Sequence, residues 1–200
     1  MLNAYNRMQI AYMKRLLTKT QQLLLQLFYT NPEQSFYMHE LGKIIGKKPG
    51  VFQRTLNGLV EEGLLLSEYR GRARFFQTNV KHPLYPELKK IIAKTVGVEG
   101  SLREIFSRVK EVKLALLYGS FVKGKERADS DIDLLIVGRP DLEDRLIKEM
   151  TRLERKLQRE INYKLYSEPE YREKQKKGDP FLEEILSDQI IILKGNPHAL

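Results

Sequence analysis

Two aspartates one residue apart, Asp131 and Asp133, open the apolar run DIDLLIVG, and a Gly-Ser pair, Gly119-Ser120, closes the apolar run VKLALLYGS. In a β-strand, residues one and three share a face, so Asp131 and Asp133 present two carboxylates side by side while Ile132, Leu134 and Ile136 point the other way. Two adjacent anions need a cation. Hard oxygen ligands at this spacing suit Mg2+ or Mn2+ held partly by substrate phosphates, rather than a closed protein cage for calcium or zinc. Gly119-Ser120 supplies the other half, because a small turn at the start of a helix brings backbone N–H groups and a hydroxyl against a phosphate. The chemistry these residues point to is that of a phosphate and a metal in one site.

The elements that must position them follow from apolar periodicity. Val112 to Tyr118 and Ile132 to Val137 read as strands, the second apolar on both faces and therefore central. A long charged helix over Asp141 to Arg159 leads to a third strand, Ile161 to Tyr166. A polar helix over Glu168 to Lys177, a short helix from Asp179-Pro180 to Leu186 and a last strand, Ile190 to Leu193, complete this half. Upstream, Leu88 to Val96 reads as a connecting helix, Gly97 to Gly100 as a break, and Leu102 to Val109 as an amphipathic helix. The fold class expected is α+β in two domains, residues 1–97 and 98–200.

The spacing of Tyr118-Gly119-Ser120, ten further residues, then Asp131-Ile132-Asp133-Leu134 resembles the signature of the DNA polymerase beta nucleotidyltransferase superfamily. It is most similar to the minimal nucleotidyltransferases, which carry GSxxxG followed by SDIDL, here Gly119 to Gly124 and Ser130 to Leu134. The resemblance implies a small mixed-sheet domain that binds Mg-NTP (or Mn-NTP), with Asp131 and Asp133 as metal-holding catalytic carboxylates and Gly119 and Ser120 on the nucleotide. Lys123, Lys125 and Arg127 either meet the triphosphate or solvate the loop. Tyr163, Tyr166 and Tyr171 would stack on a base or serve as core and surface residues. Some minimal nucleotidyltransferases pair with HEPN-type toxins and modify them, so a protein acceptor of that kind is one implied partner.

One position departs from the family pattern. Fully active members place a third carboxylate on the strand after the long helix, where this chain has Asn162. An amide coordinates a metal through its carbonyl but carries no charge and cannot act as a base. Glu160, two residues earlier, either substitutes for it or is a surface residue at a helix end. Three functions stay open: a nucleotidyltransferase, a DNA-binding regulator whose second domain senses nucleotide or is inert, and an antitoxin-type nucleotidyltransferase acting on a HEPN-type toxin.

The first half reads differently. Residues 1–17 have helical spacing of modest strength, and their apolar face would pack on their own domain or on a second copy of the chain. Lys19 to Thr30 is a strongly apolar helix ended by Asn31-Pro32, and Ser35 to Tyr37 is extended. Helices follow over Met38 to Ile45 and Lys48 to Glu62, the latter burying Val51, Phe52, Leu56, Leu59 and Val60. Strands Leu64 to Glu68 and Ala73 to Thr78 flank a turn at Tyr69 to Arg72, making a hairpin whose tip carries Arg70, Arg72 and Arg74. The segment resembles winged helix-turn-helix DNA-binding domains, above all in LVEEGLL leading into the hairpin. That resemblance implies a third helix in the major groove of double-stranded DNA, reading bases with Lys48, Gln53, Arg54 and Asn57, and a hairpin whose Arg72 and Arg74 contact phosphate or the minor groove.

Charge agrees with this division. The chain carries a net charge of +9; residues 1–98 hold 15 Lys and Arg against 6 Glu, whereas residues 99–200 hold 20 of each sign. A basic module that meets a polyanion, joined to a neutral one, is the expectation. No apolar run approaches the length that crosses a bilayer, the N-terminus lacks the continuous apolar stretch of a signal peptide, and there are no cysteines. A cytoplasmic location without disulfides, thiolate zinc sites or cysteine nucleophiles is expected. His39, His82 and His198 show no metal spacing.

Overall fold

The structure, a computed structural model, describes residues 15–123 and 130–200. Most of the expected N-terminal helix, and the loop residues Lys125 and Arg127, lie outside the described residues. The chain divides into two compact units, Met1–Ser101 with Lys156–Gln158, and Leu102–Arg155 with Arg159–Leu200. Among the described residues no helix is long and apolar enough to cross a membrane.

The first unit begins with helix α1 (Lys19–Thr30), whose N-terminus is closed by a capping box between Thr18 and Gln21. Strand β1 (Phe36–Tyr37) and helices α2 (Met38–Ile45) and α3 (Pro49–Glu61) follow, then the hairpin β2 (Leu65–Arg70) and β3 (Ala73–Thr78), and helix α4 (Tyr85–Thr95). The three strands form an antiparallel sheet in the order β1-β3-β2. Leu24, Phe28, Phe36, Phe52, Leu56 and Phe76, each fully buried, build its core. The hairpin turn is tighter than the expected Tyr69 to Arg72, because β2 pairs as far as Arg70 and leaves only Gly71 and Arg72 unpaired. Val51, expected inward, is 60% exposed. The inward face of α3 is set by Phe52, Leu56 and Leu59 at i, i+4 and i+7, and Val51 falls outside that stripe.

The expected break at Gly97 to Gly100 is shorter in the structure. Helix α5 (Val98–Arg108) begins inside it and continues through Gly100. A Cβ at Gly100 would overlap the Thr95 carbonyl, so this glycine permits a close backbone approach instead of ending a helix.

The second unit is a four-stranded mixed sheet in the order β6-β5-β4-β7, formed by β4 (Val112–Tyr118), β5 (Ile132–Gly138), β6 (Ile161–Tyr166) and β7 (Ile191–Lys194). β5 runs antiparallel to β4 and parallel to β6. A parallel neighbour demands a crossover, and helix α6 (Glu143–Leu157) supplies it. Helices α7 (Glu168–Lys176) and α8 (Pro180–Ser187) lie between β6 and β7 in the chain. Leu114, Leu116, Leu135, Val137, Tyr166, Tyr171 and Leu182 form one buried cluster, with Tyr118 and Phe181 packed against it. By strand alternation Asp133 lies on that same face of β5, two residues before Leu135. Ile132, Leu134 and Ile136 take the other face and are fully buried.

Candidate functional site

The polar residues gather where the apolar strands end. Asp133, at the start of β5, pairs across the sheet with Tyr118 on β4 and with Asn162 on β6. Asp131 precedes the strand by one residue and shares Asp133's face. The Asn162 side-chain nitrogen donates to a carboxylate oxygen of Asp131 at 2.8 Å. Asp131, Asp133 and Asn162, separated by up to 31 positions in the sequence, therefore sit together. Glu160 is exposed; its backbone carbonyl accepts from Ile132 N–H at 2.9 Å, which pins the strand ahead of Asn162 to the start of β5.

Gly119 lies directly beneath Asp133. Its φ is +80°, and a Cβ built on it would stand 2.5 Å from Asp133 Oδ2. Glycine here meets two separate demands, a left-handed backbone and room for a carboxylate. From Gly119 the chain makes one helical turn, closed by Lys123 N–H donating to the Gly119 carbonyl at 3.4 Å. Ser120 is half-buried within this turn. Lys123 forms an ion pair with Asp188.

Two carboxylates crowd one another here. Burial, and then the neighbouring Asp131, push the Asp133 carboxyl above the usual carboxylate range. Burial and Asp133 likewise push the Tyr118 phenol up. Among the described residues no three His, Asp or Glu side chains converge as a metal cage. Two carboxylates and an amide are a fitting donor set for one hard divalent cation completed by phosphate oxygens and water.

The remaining tyrosines are separated. Tyr171 is fully buried and its hydroxyl donates to the Pro197 carbonyl at 3.3 Å, so it is a core residue and offers no face to a base. Tyr166 is also in the core cluster. Tyr163 alternates to the face opposite Asn162 and lines a cleft of about 240 Å³ with Pro140, Glu143, Leu165, Ser167 and Glu170.

Two positioning residues escaped sequence reasoning. Arg159 is buried, and its guanidinium donates to the Ser130 carbonyl at 2.8 Å, fixing the residue before Asp131. Glu154 accepts from the Ile161 backbone N–H at 2.9 Å and so fixes the start of β6. Neither had a signal, since both belong to a stretch dense in charge and their partners are set by tertiary contact.

In the first unit, Lys48 occupies the N-cap position of α3 without a side-chain capping bond, and Lys48, Gln53 and Arg54 are exposed. Asn57 is half-buried and accepts from Arg74 at 3.0 Å. Arg74 also donates to Ser67 Oγ at 2.9 Å and lies 4.9 Å from the Phe76 ring centre, so it braces the hairpin against α3. Arg70 is ion-paired with Glu68 and stacked over Phe75 at 4.7 Å. Arg72, at the hairpin tip, is exposed and has no side-chain partner among the described residues. Of the three hairpin arginines, Arg72 has no side-chain partner among the described residues, while Arg70 is engaged within the hairpin and Arg74 with the hairpin and α3.

Residues 101–198 match the family described as "Polymerase beta, Nucleotidyltransferase". The match supports placing this half of the chain in the nucleotidyltransferase superfamily. No curated protein matches the chain. Among solved structures, the chain is similar to a crystal structure of NadR in complex with 4-hydroxyphenylacetate, at 16% identity, TM-score 0.37, and coverage of 55% of this chain and 78% of that one. It is also similar to a crystal structure of a toxin-antitoxin with AMP-PNP, at 20% identity, TM-score 0.34, and coverage of 49% of this chain and 73% of that one.

Proposed function

We infer that the second unit binds a nucleoside triphosphate with a divalent cation and transfers its nucleotidyl group to an acceptor hydroxyl. The observation that carries this reading is the apposition of Gly119 and Asp133, a glycine whose missing Cβ makes room for a carboxylate that stands beside a second one. In this reading Asp131 and Asp133 hold Mg2+ or Mn2+, and Gly119 and Ser120 present backbone N–H and hydroxyl to the phosphates. The cation, when bound, supplies neutralisation of the charge that builds on the transferred phosphate. The acceptor oxygen forms a bond to the α-phosphorus, the bond from that phosphorus to the bridging oxygen breaks, pyrophosphate leaves, and the hydroxyl proton passes to solvent. The chain's own contribution is positioning and charge complementarity.

A second reading, a nucleotide-sensing regulator, is favoured by Asn162. Its amide satisfies Asp131 with a hydrogen bond where a third carboxylate would add negative charge. In both readings the first unit binds double-stranded DNA. This is supported by its order of α1, β1, α2, α3 and a hairpin, the order expected of a winged helix, and by the charge surplus of the chain, which lies there.

Pyrophosphate release decides between the two. Wild type, Asn162→Asp and Glu160→Gln are compared with Mg-ATP and Mg-CTP, with double-stranded DNA and a HEPN-type toxin among the acceptors. A transferase turns over as wild type; a sensor is silent until Asn162→Asp supplies a charged ligand and a base, a component worth about 10²–10⁴-fold. Wild-type turnover indifferent to both substitutions would show that β6 does not carry the third position.

A further inference from the structure

Among the described residues, the loop lysine expected beside the phosphates is not left free for them. Lys123 is ion-paired with Asp188. Lys164 stands elsewhere on the same surface: it follows Asn162 by two residues on β6, so its side chain leaves the same face as Asn162 and Asp133. At strand rise this places it about 7 Å along the sheet from Asn162. Lys164 is exposed, and among the described residues it forms no ion pair. Its ammonium lies instead 3.9 Å from the centre of the Phe181 ring. Phe181 is held in turn by an edge-on contact with Tyr118 at 6.0 Å, and Tyr118 is the cross-strand partner of Asp133.

This chain of contacts has a consequence for charge. A carboxylate partner neutralises a lysine, as Asp188 does for Lys123, whereas a ring face holds an ammonium in place and leaves its charge available to an incoming anion. The face therefore presents a pair of carboxylates that calls for a cation and, nearby, a fixed cation that calls for an anion. A polyphosphate chelating a divalent metal satisfies both, with the metal on the carboxylates and a phosphate oxygen on the lysine. A neutral ligand satisfies neither.

We propose that Lys164, oriented by Phe181, is the lysine that contacts the phosphate chain of the metal-bound nucleotide, and that Lys123 is a structural partner of Asp188. This assignment rests on the nucleotide-binding reading given above.

The test is titration calorimetry on the full chain with Mg-ATP and Mg-AMP, using wild type, Lys164→Met, Lys164→Arg and Lys123→Met. Thermal melts verify that each variant is folded, which is expected because Lys164 and Lys123 are both exposed. Lys164→Met is expected to weaken Mg-ATP by about tenfold or more while changing Mg-AMP less than threefold, since a charge-assisted hydrogen bond to a phosphate oxygen is removed. Lys164→Arg is expected to retain most of the affinity, and Lys123→Met to stay within threefold of wild type. Wild-type affinity in Lys164→Met, or a larger loss in Lys123→Met, overturns the assignment and leaves the nucleotide reading standing. Wild type that binds neither nucleotide overturns both.

Discussion

Gly119→Ala perturbs the site at its narrowest point. At φ +80° an alanine is strained, at a cost of about 1–2 kcal/mol. For a unit of this size each kcal/mol lowers the melting temperature by about 4–8 °C. The second effect is local. The new Cβ would stand 2.5 Å from Asp133 Oδ2, and restoring an ordinary contact requires the carboxylate to retreat by about 1 Å, a displacement that costs about a hundredfold in a positioned reaction. Gly71→Ala separates the two effects: that glycine has φ +63° with nothing within 4 Å of its would-be Cβ, so it shares the backbone strain without touching the site. Thermal melts and Mg-ATP calorimetry on both variants should show comparable destabilisation, with nucleotide affinity lost only in Gly119→Ala. Equal affinity in the two variants would refute the reasoning that Gly119 exists to accommodate Asp133.

Three further outcomes follow from the geometry. The raised Asp133 carboxyl means that the folded protein binds a proton more tightly than the unfolded chain does. Metal-free protein should therefore gain stability as pH falls from the raised value towards the ordinary carboxylate value, a gain that Asp133→Asn abolishes in melts across that window. In DNA binding, Arg72→Ala should reduce the log-log salt slope by about one unit while leaving the melt unchanged. Arg74→Ala should lower the melting temperature by removing the bonds to Asn57 and Ser67, since hydrogen bonds to charged groups are worth about 1.5–3 kcal/mol each.

Much of the second unit was legible because its signals are local. The apolar runs just before Gly119 and just after Asp133 are uninterrupted, as central strands require, and the charged stretch between β5 and β6 reads as a long helix. The proximity of Asp131 to Asp133 needs only strand alternation. What stayed hidden depends on contacts between distant residues. Arg74 reads as a free basic tip residue until folding brings Asn57 and Ser67 beside it. Arg159 meets the Ser130 carbonyl across 29 positions, and Lys123 meets Asp188 across a longer span still. Gly100 misleads for another reason: glycine marks a helix end or a close approach, and only the Thr95 carbonyl distinguishes them. Val51 shows the limit of periodicity, since a one-residue change of phase carries an apolar side chain out of the core.

In the proposed function Asp131 and Asp133 act together as the seat of a metal-bound nucleotide. Titration calorimetry of Mg-ATP into wild type and into the Asp131→Asn, Asp133→Asn double variant tests it most directly. The substitutions remove two charges that repel one another, so the double variant should melt no lower than wild type while its magnesium-dependent ATP binding disappears. Unchanged Mg-ATP affinity in a folded double variant would contradict the account.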